Sequence, residues 1–166
     1  MTSHLEVERK FVVENFHAGM IPADAEMSEI TQVYLVSDNR AVEKRVRAEL
    51  GARVRRYTHT TKEDSGVAGI RRESEKEITL PDFQTFLSLR DVHTRAIVKR
   101  RYKFRSGKHV LELDVYELPI SNLVVLEVEV GALNEQVEFP EGWVLREVTG
   151  DSMYSNRSIA LGSVGP

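Results

Sequence analysis

Charged side chains recur at every second position along this chain, on stretches whose intervening positions are apolar. In residues 4–13, Leu5, Val7, Phe11 and Val13 share one face at period two, while Glu6, Glu8 and Lys10 share the other. That is the alternation of a β-strand. Acidic doublets return as Glu73/Glu75, Glu112/Asp114 and Glu127/Glu129, and basic doublets as Arg45/Arg47 and Lys99/Arg101, with Lys62 alone. For any one strand the plain reading is a wet charged face, with helices covering the apolar one. As a set, like charges grouped this densely repel. They become tolerable where the faces curl together so that both signs meet, or where ions fill the space between them. A closed antiparallel barrel of about eight strands does this, and its interior holds one small ligand.

The expected fold is therefore α+β, mainly β. It is a closed eight-stranded antiparallel β-barrel, a tunnel with a charged lumen, with a few short helices outside and at the C-terminus. Strands are expected over 4–13, 29–37, 40–50, 53–62, 71–80, 93–105, 109–116 and 123–130, with a short extended piece at 143–148. Residues 14–26 read as a short helix and loop, and 63–69 as a polar, glycine-containing loop. Pro81 suits the first turn of a helix striped by Phe83, Phe86 and Leu87. Ser106-Gly107 makes a hairpin turn and Leu118-Pro119 ends a strand. Asp151 is placed to cap a final helix over 152–161. The whole is one tunnel domain, 1–161, with a tail at 162–166.

Composition removes several function classes. Without cysteine there are no disulfides, thiolate nucleophiles or cysteine metal sites. No stretch approaches a membrane span and the N-terminus has no apolar signal core, so a cytoplasmic protein is expected. Net charge is −3, which disfavours a nucleic-acid partner although 30% of residues are charged. The five histidines lack metal-ligand spacing, His59 being the nearest to the charged set at Lys62. Trp143 reads as core. An apolar outer barrel face leaves a homodimer open.

Inward carboxylate clusters suit Mg²⁺ or Mn²⁺, hard cations that prefer oxygen. Clustered Arg and Lys suit phosphate, Arg through its bidentate fork. Together they describe a site for a metal and a polyphosphate.

These residues, in order, resemble the CYTH superfamily, the triphosphate tunnel metalloenzymes. Glu6-x-Glu8-x-Lys10 is similar to its signature, Gln32-Val33-Tyr34-Leu35 to its second strand, and Arg45-Val46-Arg47 to its Arg-x-Arg. Thr61-Lys62, Arg71-x-Glu73-x-Glu75, Lys99-Arg100-Arg101-Tyr102, Leu111-Glu112-Leu113-Asp114 and Leu126-Glu127-Val128-Glu129 follow in register. Glu147–Asp151 and Tyr154-Ser155-Asn156 resemble the C-terminal block, with Ser152-Met153 standing where the family often has a basic pair. The resemblance covers nearly the whole chain.

The resemblance implies a metal set of Glu6, Glu8, Asp114, Glu127 and Glu129, taking Mg²⁺ or Mn²⁺. It implies triphosphate ligands at Arg45, Arg47, Lys62, Lys99 and Arg101, and catalytic roles for Lys10 and Glu75. Glu73 and Glu112 line the tunnel. Lys10 has two readings, one on phosphate or the attacking water, the other an ion pair across the lumen with Glu127 or Asp114. The expected activity is metal-dependent hydrolysis of inorganic triphosphate, as in small bacterial triphosphatases. Thiamine-triphosphate hydrolysis, class IV-type adenylate cyclisation and non-catalytic polyphosphate or nucleotide binding are the alternatives.

Overall fold

The structure, a computed structural model, describes residues 2–162. The expected tail lies, from 163 onward, outside the described residues. Nine strands form, β1 (Thr2–Val13), β2 (Glu26–Tyr34), β3 (Val42–Gly51), β4 (Arg55–Val67), β5 (Ile70–Ile78), β6 (Ile97–Ser106), β7 (His109–Leu118), β8 (Val124–Glu129) and β9 (Leu145–Glu147). Two α-helices accompany them, α1 (Leu80–Phe86) and α2 (Asn156–Leu161). Neighbours run β5-β4-β3-β2-β6-β7-β8-β1, all antiparallel, and β1 also pairs β5. The sheet is thus closed into the expected eight-stranded barrel. The ninth strand is a short addition on the end of β1, from Phe11 to Val13.

Closure turns the usual barrel inside out. The apolar face of β1, β6, β7 and β8 points outward, and Phe11, Phe104, Leu111, Leu113, Leu126 and Val128 form a core there. Phe16, Ile21, Phe139 and Trp143, from the segments before β2 and after β8, cover it. On the opposite side, α1 seats Phe83 against Leu35, Val46 and Ala48. Thr79 caps α1 by accepting the Asp82 N–H at 3.2 Å, and Pro81 lies in its first turn. One end of the lumen is apolar. Tyr34, Ile97, Tyr116, Leu123 and Val125 pack there under Ile159 and Ala160 of α2.

Four local expectations change. The polar stretch 63–69 is no open loop, because β4 and β5 continue through it and turn at Ala68-Gly69. Gly69, at φ +79, lies against Thr149 and Leu133, and its carbonyl accepts the Glu8 N–H at 3.1 Å. The hairpin tip is held by the body of the protein, so its polar composition did not mean an unpaired backbone. The final helix is split. Asp151 caps a single 3-10 turn, Ser152–Tyr154, and Ser155, itself extended, caps α2 by accepting the Ser158 N–H. The stretch before β6 is irregular up to Ile97, and 14–25 holds only a 3-10 turn, Ala18–Met20.

Candidate active site

Strand register decides which charges meet. Antiparallel pairing sets Glu8 opposite Glu129 and Lys10 opposite Glu127. It sets Glu112 opposite Glu127, and Arg101 opposite Asp114. Across β3 and β4, Glu43 faces Lys62 and Arg45 faces Thr60. Glu6, Glu8, Lys10, Arg45, Arg47, Lys62, Glu73, Arg101, Glu112, Glu127 and Glu129 line a cavity of about 840 Å³. Lys99 and Asp114 share the inward face but are 0% exposed, sealed behind it. Glu75 lies opposite Thr60, whose hydroxyl donates to its Oε2 at 3.1 Å.

Of the six cations that the sequence placed in the lumen, four are tied to carboxylates. Lys62 Nζ lies 2.8 Å from Glu6 Oε2 and 3.0 Å from Glu73 Oε2. Lys10 Nζ lies 3.4 Å from Glu127 Oε1 and donates to the Tyr154 carbonyl at 3.2 Å. Lys99 and Arg101 both close on Asp114, and Arg101 also reaches Glu112 and Glu127. Of the two readings of Lys10, the structure contains the ion pair with Glu127. Burial disfavours its charge, but Glu127 and Glu8 hold its pKa above the ordinary value. Burial likewise opposes ionisation of Glu127, and Lys10, Lys99 and Arg101 overcome it, leaving the carboxyl well below its usual range.

The other two cations have no such partner. Among the described residues neither Arg45 nor Arg47 makes an ion pair. Arg45 is 5% exposed, and its buried Nε has no hydrogen-bond acceptor. Among the described residues Arg47 donates only to an amide, that of Gln32, at 3.1 and 3.3 Å. Burial, then Arg45 and Arg101, lower its pKa to about 10. Burial opposes the Arg45 charge, but Tyr34, Glu43, Glu73 and Glu6 hold its pKa above the ordinary value. An unpartnered buried donor on Arg45, beside an Arg47 guanidinium with no carboxylate in contact, suits an incoming anion.

The carboxylates show the opposite deficit. Burial by the tunnel wall raises Glu8 to about 8, and repulsion from Glu127 and Glu6 adds to this, with Lys10 opposing. The Glu127 Oε1 atom is buried and, among the described residues, accepts no hydrogen bond, Lys10 reaching it only as an ion pair at 3.4 Å. Glu129 stands at the open mouth, its side chain 65% exposed, with His4 at 3.9 Å. Among the described residues no three of His, Asp and Glu are drawn together into a ready-made cage. Mg²⁺ takes one or two carboxylates and completes its octahedron with water and substrate phosphate. A crowded carboxylate, Glu8, and a Glu127 oxygen held only by a long ion pair, both on the lumen wall, fit such a cation. Asp114 differs from the rest of the expected metal set, because Lys99 and Arg101 engage both its oxygens.

Comparison with known proteins accords with this geometry. The chain is 33% identical, over 163 residues, to the inorganic triphosphatase of Nitrosomonas europaea, spanning 94% of this chain and 97% of that one. It belongs to the CYTH superfamily, among the inorganic triphosphatases. The crystal structure of the inorganic triphosphatase NE1496 superposes with a TM-score of 0.61 at 27% identity, covering 94% of each chain. The Hippeastrum protein HpAC1, described as having a dominant triphosphatase activity, aligns at TM-score 0.57 and 14% identity. It covers 76% of this chain and 80% of that one, and shows the shared fold alone. No family model matches the chain. Among the described residues no helix is long and apolar enough to cross a membrane.

Within this CYTH tunnel the structure adds residues that the charge pattern passed over. Gln32 and Tyr34 lie opposite Arg47 and Arg45 on the inward face. Their parity on β2 was the available signal, since they alternate with Val33 and Leu35. At the open mouth, buried Glu49 accepts from Ser28 at 2.9 Å and Arg56 at 2.8 Å. His59 stacks on Phe86 outside the barrel, ring centroids 4.8 Å apart, away from the lumen.

Proposed function

We propose that this protein hydrolyses inorganic triphosphate within the tunnel, with Mg²⁺ or Mn²⁺. The observation that carries the reading is the unequal pairing of lumen cations. Lys10, Lys62, Lys99 and Arg101 have carboxylates in ion-pair contact; among the described residues Arg45 and Arg47 have none, although Glu43, Glu73 and Glu6 act on Arg45 from farther off. A linear triphosphate supplies the missing anion, and Arg forks suit its paired oxygens. The named relative, an inorganic triphosphatase matched along almost its full length, supports the same substrate class.

Glu8 and Glu127 would hold the metal, with Glu6 and Glu129 beside them. When bound, the ion supplies neutralisation of phosphate oxygens and a water of lowered pKa. The chain's own groups do the rest. Arg45 and Arg47 hold the phosphate charge, with Lys62, Lys99 and Arg101 behind them, and this positioning is the main protein contribution to phosphoryl transfer. Asp114 holds Lys99 and Arg101 in place and takes no part in metal binding. Lys10, fixed by Glu127 and the Tyr154 carbonyl, steers the attacking water. Glu75 accepts the proton as the water oxygen bonds to the terminal phosphorus and the anhydride P–O bond breaks. The products are orthophosphate and diphosphate.

The test is phosphate release from tripolyphosphate, thiamine triphosphate and ATP, each with and without Mg²⁺ and Mn²⁺. The expected result is metal-dependent release, fastest from tripolyphosphate. Cyclic AMP from ATP would make the protein a cyclase. Binding of tripolyphosphate without turnover would make it a binding module.

A further inference from the structure

Gln32 is fully buried on β2, directly opposite Arg47 on β3. Its Oε1 accepts from Arg47 Nε at 3.3 Å and from Nη2 at 3.1 Å, so one oxygen takes both arms of the fork. Its Nε2 donates to the Tyr34 hydroxyl at 3.0 Å. The amide has one orientation that serves both contacts. A flip would turn an N–H toward a guanidinium that can only donate. The next inward pair along the same ladder is Tyr34 opposite Arg45, and the Tyr34 hydroxyl lies against Arg45.

The chemical type of these partners is the informative part. Elsewhere in the lumen a cation is oriented by a carboxylate, as Lys62 is by Glu6 and Glu73, and Arg101 is by Asp114. A carboxylate fixes geometry and also cancels charge. An amide or phenol oxygen fixes geometry and leaves the full positive charge for a ligand. We propose that Gln32 is a positioning residue of the triphosphate site, a neutral acceptor that aims the Arg47 fork into the lumen without neutralising it. Tyr34 locks the amide in the orientation this requires. The assignment rests on the triphosphatase reading above, and it adds a determinant of substrate affinity outside the charged set.

Replacing Gln32 with Glu separates charge from geometry. Q32E keeps the shape and the fork but adds a carboxylate to Arg47. Steady-state hydrolysis of tripolyphosphate and thermal melting would be measured on the same samples of full-length protein. The expected result is a melting temperature equal to or above wild type, with KM raised about tenfold or more and kcat changed far less. A merely structural Gln32 moves activity and stability together, so a well-folded Q32E with wild-type KM overturns the assignment. Should Q32E fail to fold, Gln32→Met serves in its place. It is neutral and lacks the acceptor, so a raised KM supports the assignment and a wild-type KM overturns it. Absence of tripolyphosphate hydrolysis in the wild-type protein would overturn the functional reading, and this assignment with it.

Discussion

Asp114 and Arg101 form a two-armed ion pair sealed in the barrel wall. Arg101 Nε donates to Oδ1 at 2.7 Å and Nη2 to Oδ2 at 2.8 Å, while Lys99 Nζ approaches Oδ2 at 2.5 Å. One carboxylate thus serves two cations on the neighbouring strand. Burial opposes its ionisation, but Arg101 and Lys99 hold its pKa below the ordinary carboxylate value. Removing one member of a buried pair leaves uncompensated charge. Asp114→Asn is therefore expected to cost about 3 kcal/mol or more in urea unfolding at pH 7. The sign of the pH dependence follows from the depressed pKa. The Asp114 contribution is complete above pH ~4 and drains away as pH falls through the folded value. In the Asn variant that acid-limb loss should shrink.

Arg47 makes the reverse case. Its charge has no carboxylate partner and its pKa is lowered to about 10 by burial, Arg45 and Arg101. Relief of that repulsion should make Arg47→Met no less stable than wild type, and up to about 1 kcal/mol more stable. The same change should lower kcat/KM for tripolyphosphate by about a hundredfold or more, as loss of a fork on phosphate does. Paired melting and kinetic measurements decide it. A large loss of stability would mean that Arg47 is held by the fold and not reserved for a ligand.

The barrel was legible in the sequence because period-two alternation is a local property. Glu6, Glu8 and Lys10 against Val7 and Phe11 fix a face whatever the neighbours are. Partner choice is not local. Asp114 was grouped with metal ligands through the family resemblance, and its sequence neighbours give no sign of what its oxygens meet. Only the β6–β7 register, Arg101 opposite Asp114, shows that its oxygens are taken. Gln32 was passed over for a related reason. An amide on an alternating strand carries no signal until the residue across the ladder is known to be an unpaired arginine. The stretch 63–69 was misread because its polar, glycine-containing composition suits a loop, whereas β4 and β5 pair through it and distant β1 holds its tip through the Glu8 N–H on the Gly69 carbonyl. Ser155 was absorbed into a longer helix because serine is acceptable both as cap and as interior residue.

The apolar end of the lumen gives a stability prediction that leaves the chemistry alone. Ile159 is 1% exposed and packs with Tyr116, Leu123 and Val125 where α2 closes the tunnel. Truncating it removes buried methyl groups and leaves a cavity in a closed wall, so Ile159→Ala should cost about 2–4 kcal/mol. Tyr116 still donates to Asn156 Oδ1 at 2.5 Å and Lys10 to the Tyr154 carbonyl, so the C-terminal block stays attached. Below the new melting transition, kcat for tripolyphosphate should match wild type. A drop in kcat in the folded variant would tie α2 to catalysis directly.

Glu8 and Glu129 lie opposite each other in the β1–β8 ladder but in unlike surroundings, and this separates their roles. Burial, aided by Glu127 and Glu6, raises Glu8 to about 8 from an ordinary 4.5. An acid whose folded pKa is raised stabilises fully below its unfolded value and loses that contribution as pH rises through the folded one. The metal-free protein should therefore lose stability between pH ~5 and ~8 from this group, by a few kcal/mol at most. Glu8→Gln should flatten that slope. A bound cation needs the carboxylate ionised, so the gain in melting temperature on adding Mg²⁺ should grow across the same window. Glu129 is 65% exposed at the mouth. Glu129→Gln should leave metal-free melting unchanged while metal-dependent tripolyphosphate hydrolysis collapses by about a hundredfold. If Mg²⁺ stabilises Glu8→Gln as strongly as wild type at pH 8, or if Glu129→Gln keeps full activity, the cation does not sit between these strands.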